Sequence, residues 1–267
     1  MTSDAELSRD VARRAGALLL DLRESFGSVT DKDSANALRK QADRASHEFI
    51  VAELAAARPD DAILSEEGKD NDDRLFAERV WIVDPLDGTY EYGQGRADFA
   101  VHIALWHASR QELSATTVDL PAQGLTRSVL DDVSAPPGLP TDRPIRVVAS
   151  RSRPPATLQA TVDLLSRRLS GLGITDKGVE IVDVGSVGAK VNELISGRAE
   201  AYVHDTGFYE WDVAAPYGVA MHYGFVPSHL DGRAVLFNLM PPYVTDLMVS
   251  HPALVDHLRD ALQEAAR

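Results

Sequence analysis

A proline-rich stretch, Asp131–Pro144, separates two different patterns of hydrophobic alternation, and this change constrains the fold more than any other feature of the chain. The stretch holds Pro136, Pro137, Pro140 and Pro144 with Gly138, residues that interrupt helices and sheet ladders alike. Before it, Ser3 and Glu6 have capping-box spacing, and Leu7, Val11, Leu18, Leu22 and Phe26 recur at helical intervals until Gly27. A polar stretch, Ser28–Lys40, precedes a second helix expected over Gln41–Ala57, with Ala42, Ala45, Phe49 and Leu54 inward and Pro59 ending it. Ala62–Leu64 and Val80–Val83 have the length of strands. Phe99, Val101, Ile103 and Leu105 alternate with Ala100, His102, Ala104 and Trp106, and Glu112–Leu120 and Gly124–Leu130 extend that strand into a meander. After the stretch, the expected order is strand Ile145–Ala149, helix Pro155–Ser170, strand Val179–Val184, helix Ser186–Ser196, strand Ala199–His204 and helix Asp212–Tyr223. A strand near Leu247 and a helix over Pro252–Ala266 close an α/β pattern. The chain thus divides into an α+β first domain, 1–140, and an α/β second domain, 141–267.

Charge narrows the partners. The 267 residues include 27 Lys+Arg and 41 Asp+Glu, a net charge of −14. A nucleic-acid binder needs a basic face, and only Arg143–Arg153 offers a weak one, so no nucleic acid is expected. There is no cysteine, which rules out disulfides and Cys-ligated zinc. Asp4 and Glu6 stand where a signal peptide would be cationic, the apolar run Ala15–Leu20 stops at Asp21, and no run is long enough to span a bilayer. The expectation is a cytoplasmic protein with no membrane partner.

The chemistry-bearing residues are acidic and sit at strand ends. Ser65-Glu66-Glu67 follows one strand, Asp84-Pro85-Leu86-Asp87-Gly88-Thr89 follows the next, and Trp211-Asp212 opens a later helix. Pro85 fixes φ and Gly88 permits an unusual turn, so a sharp bend can bring Asp84, Asp87 and the Leu86 carbonyl to one side. Such an all-oxygen set suits Mg²⁺ or Mn²⁺ rather than zinc. Gly88 and Thr89 would present backbone N–H groups to a phosphate at a helix start. Each piece alone reads as a turn, a solvated loop or, for Asp212, a helix cap. Their co-occurrence favours a phosphoryl-transfer site.

The run Trp81–Thr89 resembles the D-P-[ILV]-D-G-T signature of the inositol monophosphatase-like, lithium-sensitive, Mg-dependent phosphatase superfamily. Glu66-Glu67 stands in the place of its upstream acidic pair, and Trp211-Asp212-Val213-Ala214-Ala215 resembles its W-D-x-A-A signature. Val147-Val148-Ala149-Ser150-Arg151-Ser152, Gly185-Ser186-Val187-Gly188-Ala189-Lys190, and Glu210 before Trp211 resemble the actinobacterial CysQ-type 3′(2′),5′-bisphosphate nucleotidase branch. The resemblance implies a layered α/β/α/β/α sandwich of the inositol monophosphatase/fructose-1,6-bisphosphatase type, with metal binding in the first domain and substrate recognition in the second. Family members form homodimers or monomers, and the sequence does not choose between them.

What the resemblance implies about roles can be placed residue by residue. Glu66, Asp84 and the Leu86 carbonyl would hold one Mg²⁺, and Asp84, Asp87 and Asp212 a second. A third ion would share Glu66, with Mn²⁺ as a substitute and Ca²⁺ and Li⁺ as inhibitors. Asp43 and Thr89 would orient and deprotonate the attacking water, while Gly88 and Thr89 amides bind the phosphate. Ser150, Arg151, Lys190 and Glu210 would contact the substrate, with Lys190 meeting a second phosphate or ribose and Arg151 stacking on or pairing with the nucleotide. Surface-loop and solvated-helix roles remain open for Arg151 and Lys190. The stretch Arg39-Lys40-Gln41-Ala42-Asp43 lacks the family's Val-Thr, Asp31-Lys32-Asp33 stands near its Lys-x-Asp loop, and Tyr90-Glu91-Tyr92 replaces Arg-Glu-Phe.

The implied activity is release of the 3′-phosphate from 3′-phosphoadenosine 5′-phosphate or a related nucleotide, a hydrolase step tied to sulfur assimilation. An inositol, sugar or specialised-pathway phosphatase is the enzyme alternative. A non-catalytic nucleotide sensor is disfavoured by the full set of Asp43, Glu66, Asp84, Asp87, Thr89 and Asp212. No dinucleotide fingerprint, P-loop or nucleophile elbow is present. His102 and His107 lack zinc-site spacing and read as structural, and Trp81, Trp106 and Trp211 as packing residues. With metal bound, the acidic cleft would accept a small phosphorylated anion; without it, the substrate should bind poorly.

Overall fold

A computed structural model describes residues 2–27, 29–68, 71–133 and 135–267. Ser28, the first residue of the polar stretch, and Ser134, within the proline-rich stretch, lie outside the described residues. Helix α1 (Asp4–Ser25) starts at the expected capping box, with the Glu6 amide donating to Ser3 Oγ at 3.2 Å and the Ser3 amide to Glu6 Oε2 at 2.8 Å. Helix α2 (Lys32–Ala57) begins at Lys32 rather than Gln41. Asp31 caps it by accepting from the Ser34 amide at 2.8 Å, and Ala35 and Leu38 carry its buried stripe back from Ala42. The polar residues of Lys32–Lys40 are exposed or half-buried around that stripe.

Five strands form the first sheet, in the order β1 (Ala62–Ser65), β2 (Arg79–Asp87), β3 (Ala100–His107), β4 (Glu112–Leu120) and β5 (Leu125–Ser128). β1 runs parallel to β2, and the other neighbours are antiparallel. The short helix α3 (Thr89–Gly93) follows β2. Beyond the proline-rich stretch come β6 (Ile145–Ser150), α4 (Leu158–Gly171), β7 (Val179–Val184), α5 (Val187–Ile195), β8 (Ala201–His204) and β9 (Phe208–Tyr209). Then follow α6 (Glu210–His222), β10 (Val226–Ser228), β11 (Tyr243–Val244), β12 (Leu247–Ser250) and α7 (Val255–Ala265). The second sheet has the order β10-β12-β8-β6-β7, and β9 pairs separately with β11.

These elements stack as α1 and α2, the first sheet, α5 and α6, the second sheet, then α4 and α7. The strands show why. Trp81 and Val83 of β2 pack with Val11, Leu19, Ile50 and Leu54 of the outer helices, while Val80 and Ile82 face the middle layer. That period of two buries both faces of the strand. In the middle layer, Val213, Val219 and Leu194 meet Val80 and Val118 on one side and Val148, Tyr202 and Val249 on the other. One apolar cluster therefore draws on residues from both sides of the Asp131–Pro144 stretch. Val147, Val203 and Met248 pack outward against Leu165, Leu169 and Leu258. Among the described residues, no helix is long and apolar enough to cross a membrane.

Candidate active site and metal centre

The site forms where β1 and β2 end beside the start of α6. The parallel register Ser65↔Val83 brings Glu66 alongside Asp84. The β2–β3 register shifts between Asp84 and Asp87, so the ladder breaks where the two carboxylates leave it. Asp84 Oδ1 accepts from the Leu86 amide at 2.9 Å, and Ser46 Oγ of α2 donates to the Pro85 carbonyl at 2.8 Å, which fixes the bend. Gly88 follows at φ +86°; a Cβ there would lie 3.1 Å from the Asp98 carbonyl oxygen and 3.3 Å from Phe99 Cα. Asp212, in the first turn of α6, accepts from the Tyr209 amide at 2.8 Å. It therefore caps its helix and still brings a carboxylate oxygen to within 4.8 Å of oxygens from Asp84 and Asp87.

The electrostatics of this cluster call for a cation. Burial lifts the Asp84 carboxyl well above the usual carboxylate range, and the charges of Glu66, Asp87, Asp212 and Asp43 lift it further. Burial also raises Glu66, reinforced by Asp43 and Glu67, and raises Asp212, reinforced by Asp87. Asp84 Oδ2 is buried with no hydrogen-bond partner. Carboxylates crowded out of water and against one another are stabilised by a hard cation that takes oxygen ligands, so the donor set fits Mg²⁺ or a similar ion.

Glu66, Asp84, Leu86, Asp87, Gly88 and Thr89 line one wall of a cleft of about 230 Å³. Asp212 completes that acidic wall, and Ser150, Arg151 and Lys190 also line the cleft. Two residues named from the sequence stand elsewhere. Asp43 borders a separate depression with His47 and Glu67. Burial and then the Glu67 charge push its carboxyl up to about 7. Its Oδ1 has no partner, so the hydrogen bond to Thr89 is unmade. Glu210 is the second residue that stands apart from the cleft lining. Its carboxylate is fully buried and accepts from the Asn238 and Leu239 amides at 2.6 and 2.7 Å, so it anchors a loop instead of facing substrate.

The cations of the cleft divide by how far they are engaged. Arg151 donates to Asp98 at 2.9 Å, Asp183 at 3.0 Å and Glu91 at 3.1 Å. Lys190 is buried, donates to the Gly185 and Ser186 carbonyls, and lies 5.5 Å from the Tyr202 ring centre. Burial lowers its pKa to about 8. Arg153, exposed at the cleft's edge, has no ion pair among the described residues. Tyr90, standing where the family carries Arg, is exposed beneath the Arg39 guanidinium at 5.0 Å.

Sequence reasoning missed Arg153 and the aromatic end of the cleft. His204 stacks on Phe208 with ring centres 4.2 Å apart, and burial drops its pKa to about 4, so the ring is neutral. Tyr202 Oη and His204 Nδ1 are both buried without partners. The available signal was their spacing, two residues apart on one strand and hence on one face.

Residues 1–263 match the model of the inositol monophosphatase family. A Mycobacterium leprae protein named 3′-phosphoadenosine 5′-phosphate phosphatase is 38% identical over 98% of this chain and 94% of its own. A Mycobacterium tuberculosis protein of the same name is 39% identical over 95% and 91%. The structure of CysQ from Bacteroides thetaiotaomicron matches with a TM-score of 0.72 at 24% identity, covering 92% of this chain and 96% of that one, a likeness of fold.

Proposed function

The chain belongs to the inositol monophosphatase family, and from that premise we propose that it is a Mg²⁺-dependent phosphomonoesterase removing the 3′-phosphate of 3′-phosphoadenosine 5′-phosphate or a closely related nucleotide. The observation that carries this reading is the convergence of Asp84, Asp87 and Asp212 oxygens within 4.8 Å in a cleft that Arg153 and Lys190 also line. The mycobacterial relatives' names give the substrate. A cytoplasmic location suits an enzyme that acts on such a nucleotide.

Glu66, Asp84 and the Leu86 carbonyl would hold one ion, and Asp84, Asp87 and Asp212 another. Bound there, Mg²⁺ supplies Lewis-acid charge to the phosphoryl oxygens and the leaving oxygen. The Gly88 and Thr89 amides face the phosphate at the start of α3. Thr89 orients the attacking water, and Asp43, whose carboxyl is pushed up to about 7, takes its proton through the Thr89 hydroxyl once the two side chains close the hydrogen bond that is open in this structure. The new P–O bond forms as the bond to the 3′-oxygen breaks, and that oxygen gains a proton from solvent. Arg153 meets the 5′-phosphate, and the unpartnered Tyr202 Oη and His204 Nδ1 hydrogen-bond the nucleoside.

The test is phosphate release across a panel of phosphomonoesters with and without Mg²⁺. The adenosine bisphosphate should be hydrolysed with the highest kcat/KM. Far faster turnover of inositol 1-phosphate would overturn the substrate assignment.

A further inference from the structure

We propose that His102 is a positioning residue that fixes Asp87, and with it the start of α6, for cation binding; this rests on the metal assignment above. His102 projects from β3 into the middle layer, in line with Ala100, Ala104 and Trp106. It is completely buried among apolar side chains, an expensive place for an imidazole unless its nitrogens have a task. Its Nε2 stands 3.3 Å from Asp87 Oδ2. The Gly188 amide, in the first turn of α5, donates to the same oxygen at 3.1 Å. A Cβ at position 188 would lie 2.4 Å from His102 Nε2, so glycine is what allows ring and amide to share that oxygen. The other polar groups near the ring are the backbone of Trp211, directly before Asp212, and the Lys190 ammonium.

One imidazole therefore touches two of the three segments that bring carboxylates together. Gly188 bonds Oδ2 and His102 Nε2 faces it at 3.3 Å without a closed hydrogen bond, which leaves Asp87 Oδ1 for a cation. Outer groups of this kind orient metal ligands, and their loss typically weakens metal affinity by about 10–100-fold.

The experiment is calorimetric titration of the substrate-free protein with Mn²⁺, alongside melting curves in EDTA, for the wild type, His102→Phe and His102→Gln. Phenylalanine removes the polar contact at similar volume, and glutamine restores a donor. The expected result is Mn²⁺ affinity reduced about 10–100-fold in His102→Phe and partly recovered in His102→Gln, with EDTA melting of both close to wild type. At saturating Mg²⁺, His102→Phe should leave KM for substrate near wild type. Mn²⁺ affinity within twofold of wild type in His102→Phe would overturn the proposal. So would loss of folding in EDTA for both variants, which would make the ring's role structural. A wild-type protein that binds no Mn²⁺ would instead refute the metal assignment itself.

Discussion

Arg151 donates from Nη2 to Asp98 Oδ2 at 2.9 Å, and Asp98 Oδ2 in turn accepts from the Gly185 amide at 2.9 Å. The guanidinium is built into the cleft wall, and Arg153 is left as an exposed cleft cation with no ion pair among the described residues. Arg153→Ala should raise KM for the adenosine bisphosphate about tenfold or more, the range of a lost hydrogen bond to a charged group. Adenosine 3′-monophosphate, which lacks the distal phosphate, should show little change. Steady-state kinetics on the two substrates check this; an equal rise for both would remove Arg153 from distal-phosphate recognition.

Asp84→Asn should lower Mg²⁺-dependent phosphate release by about a thousandfold or more, as expected when a charged transition state loses its electrostatic support. In EDTA the same variant should melt higher than wild type, because it removes one charge from a buried like-charged cluster. Each kcal/mol of relieved repulsion corresponds to roughly 2–4 °C at this size. Calorimetry in EDTA checks the sign, and a lower melting temperature would contradict the account of the cluster.

Glu210→Ala should cost about 2–4 kcal/mol, since it strips a charged acceptor from the buried Asn238 amide and the part-buried Leu239 amide. Denaturant unfolding measures the loss. KM of the folded variant should stay near wild type; a large rise would return Glu210 to the substrate contacts.

His204 sets an acid limit on stability. Its pKa falls from 6.5 to about 4 because burial disfavours the charged ring. The unfolded chain binds a proton near pH 6.5 that the folded chain resists, so the neutral ring's contribution is complete above pH 6.5 and is lost between pH 6.5 and 4. His204→Phe, which keeps an aromatic ring against Phe208, should flatten this part of the stability profile. Unfolding free energies measured at intervals from pH 7 to 4 check it; an unchanged slope would be the adverse result.

Features set by near neighbours were legible in the sequence: the Ser3–Glu6 cap, the alternation of β3 and the acidic strand ends. The start of α2 was obscured because polar residues outnumber the buried Ala35 and Leu38 in Lys32–Lys40, although Asp31 and Ser34 already carried the cap. Which cleft arginine is tied up in ion pairs was not legible. Arg151 is taken by Asp98 and Asp183, which lie 53 and 32 residues away in sequence. The burial of Glu210 was hidden for the same reason, since its amide partners arrive on a loop 28 and 29 residues later. Side-chain direction at these positions depends on tertiary neighbours, and local pattern carries no record of them.

The two walls of the cleft differ in how they are encoded. The hydrolytic wall comes largely from one contiguous segment, Asp84–Thr89, held by a strand buried on both faces. The recognition wall is assembled from scattered side chains on Ser150–Arg153, Lys190, Tyr202 and His204. Substitutions on the second wall can therefore retune which phosphomonoester is accepted while the hydrolytic machinery stays intact. The fold is built to be respecialised without being reinvented.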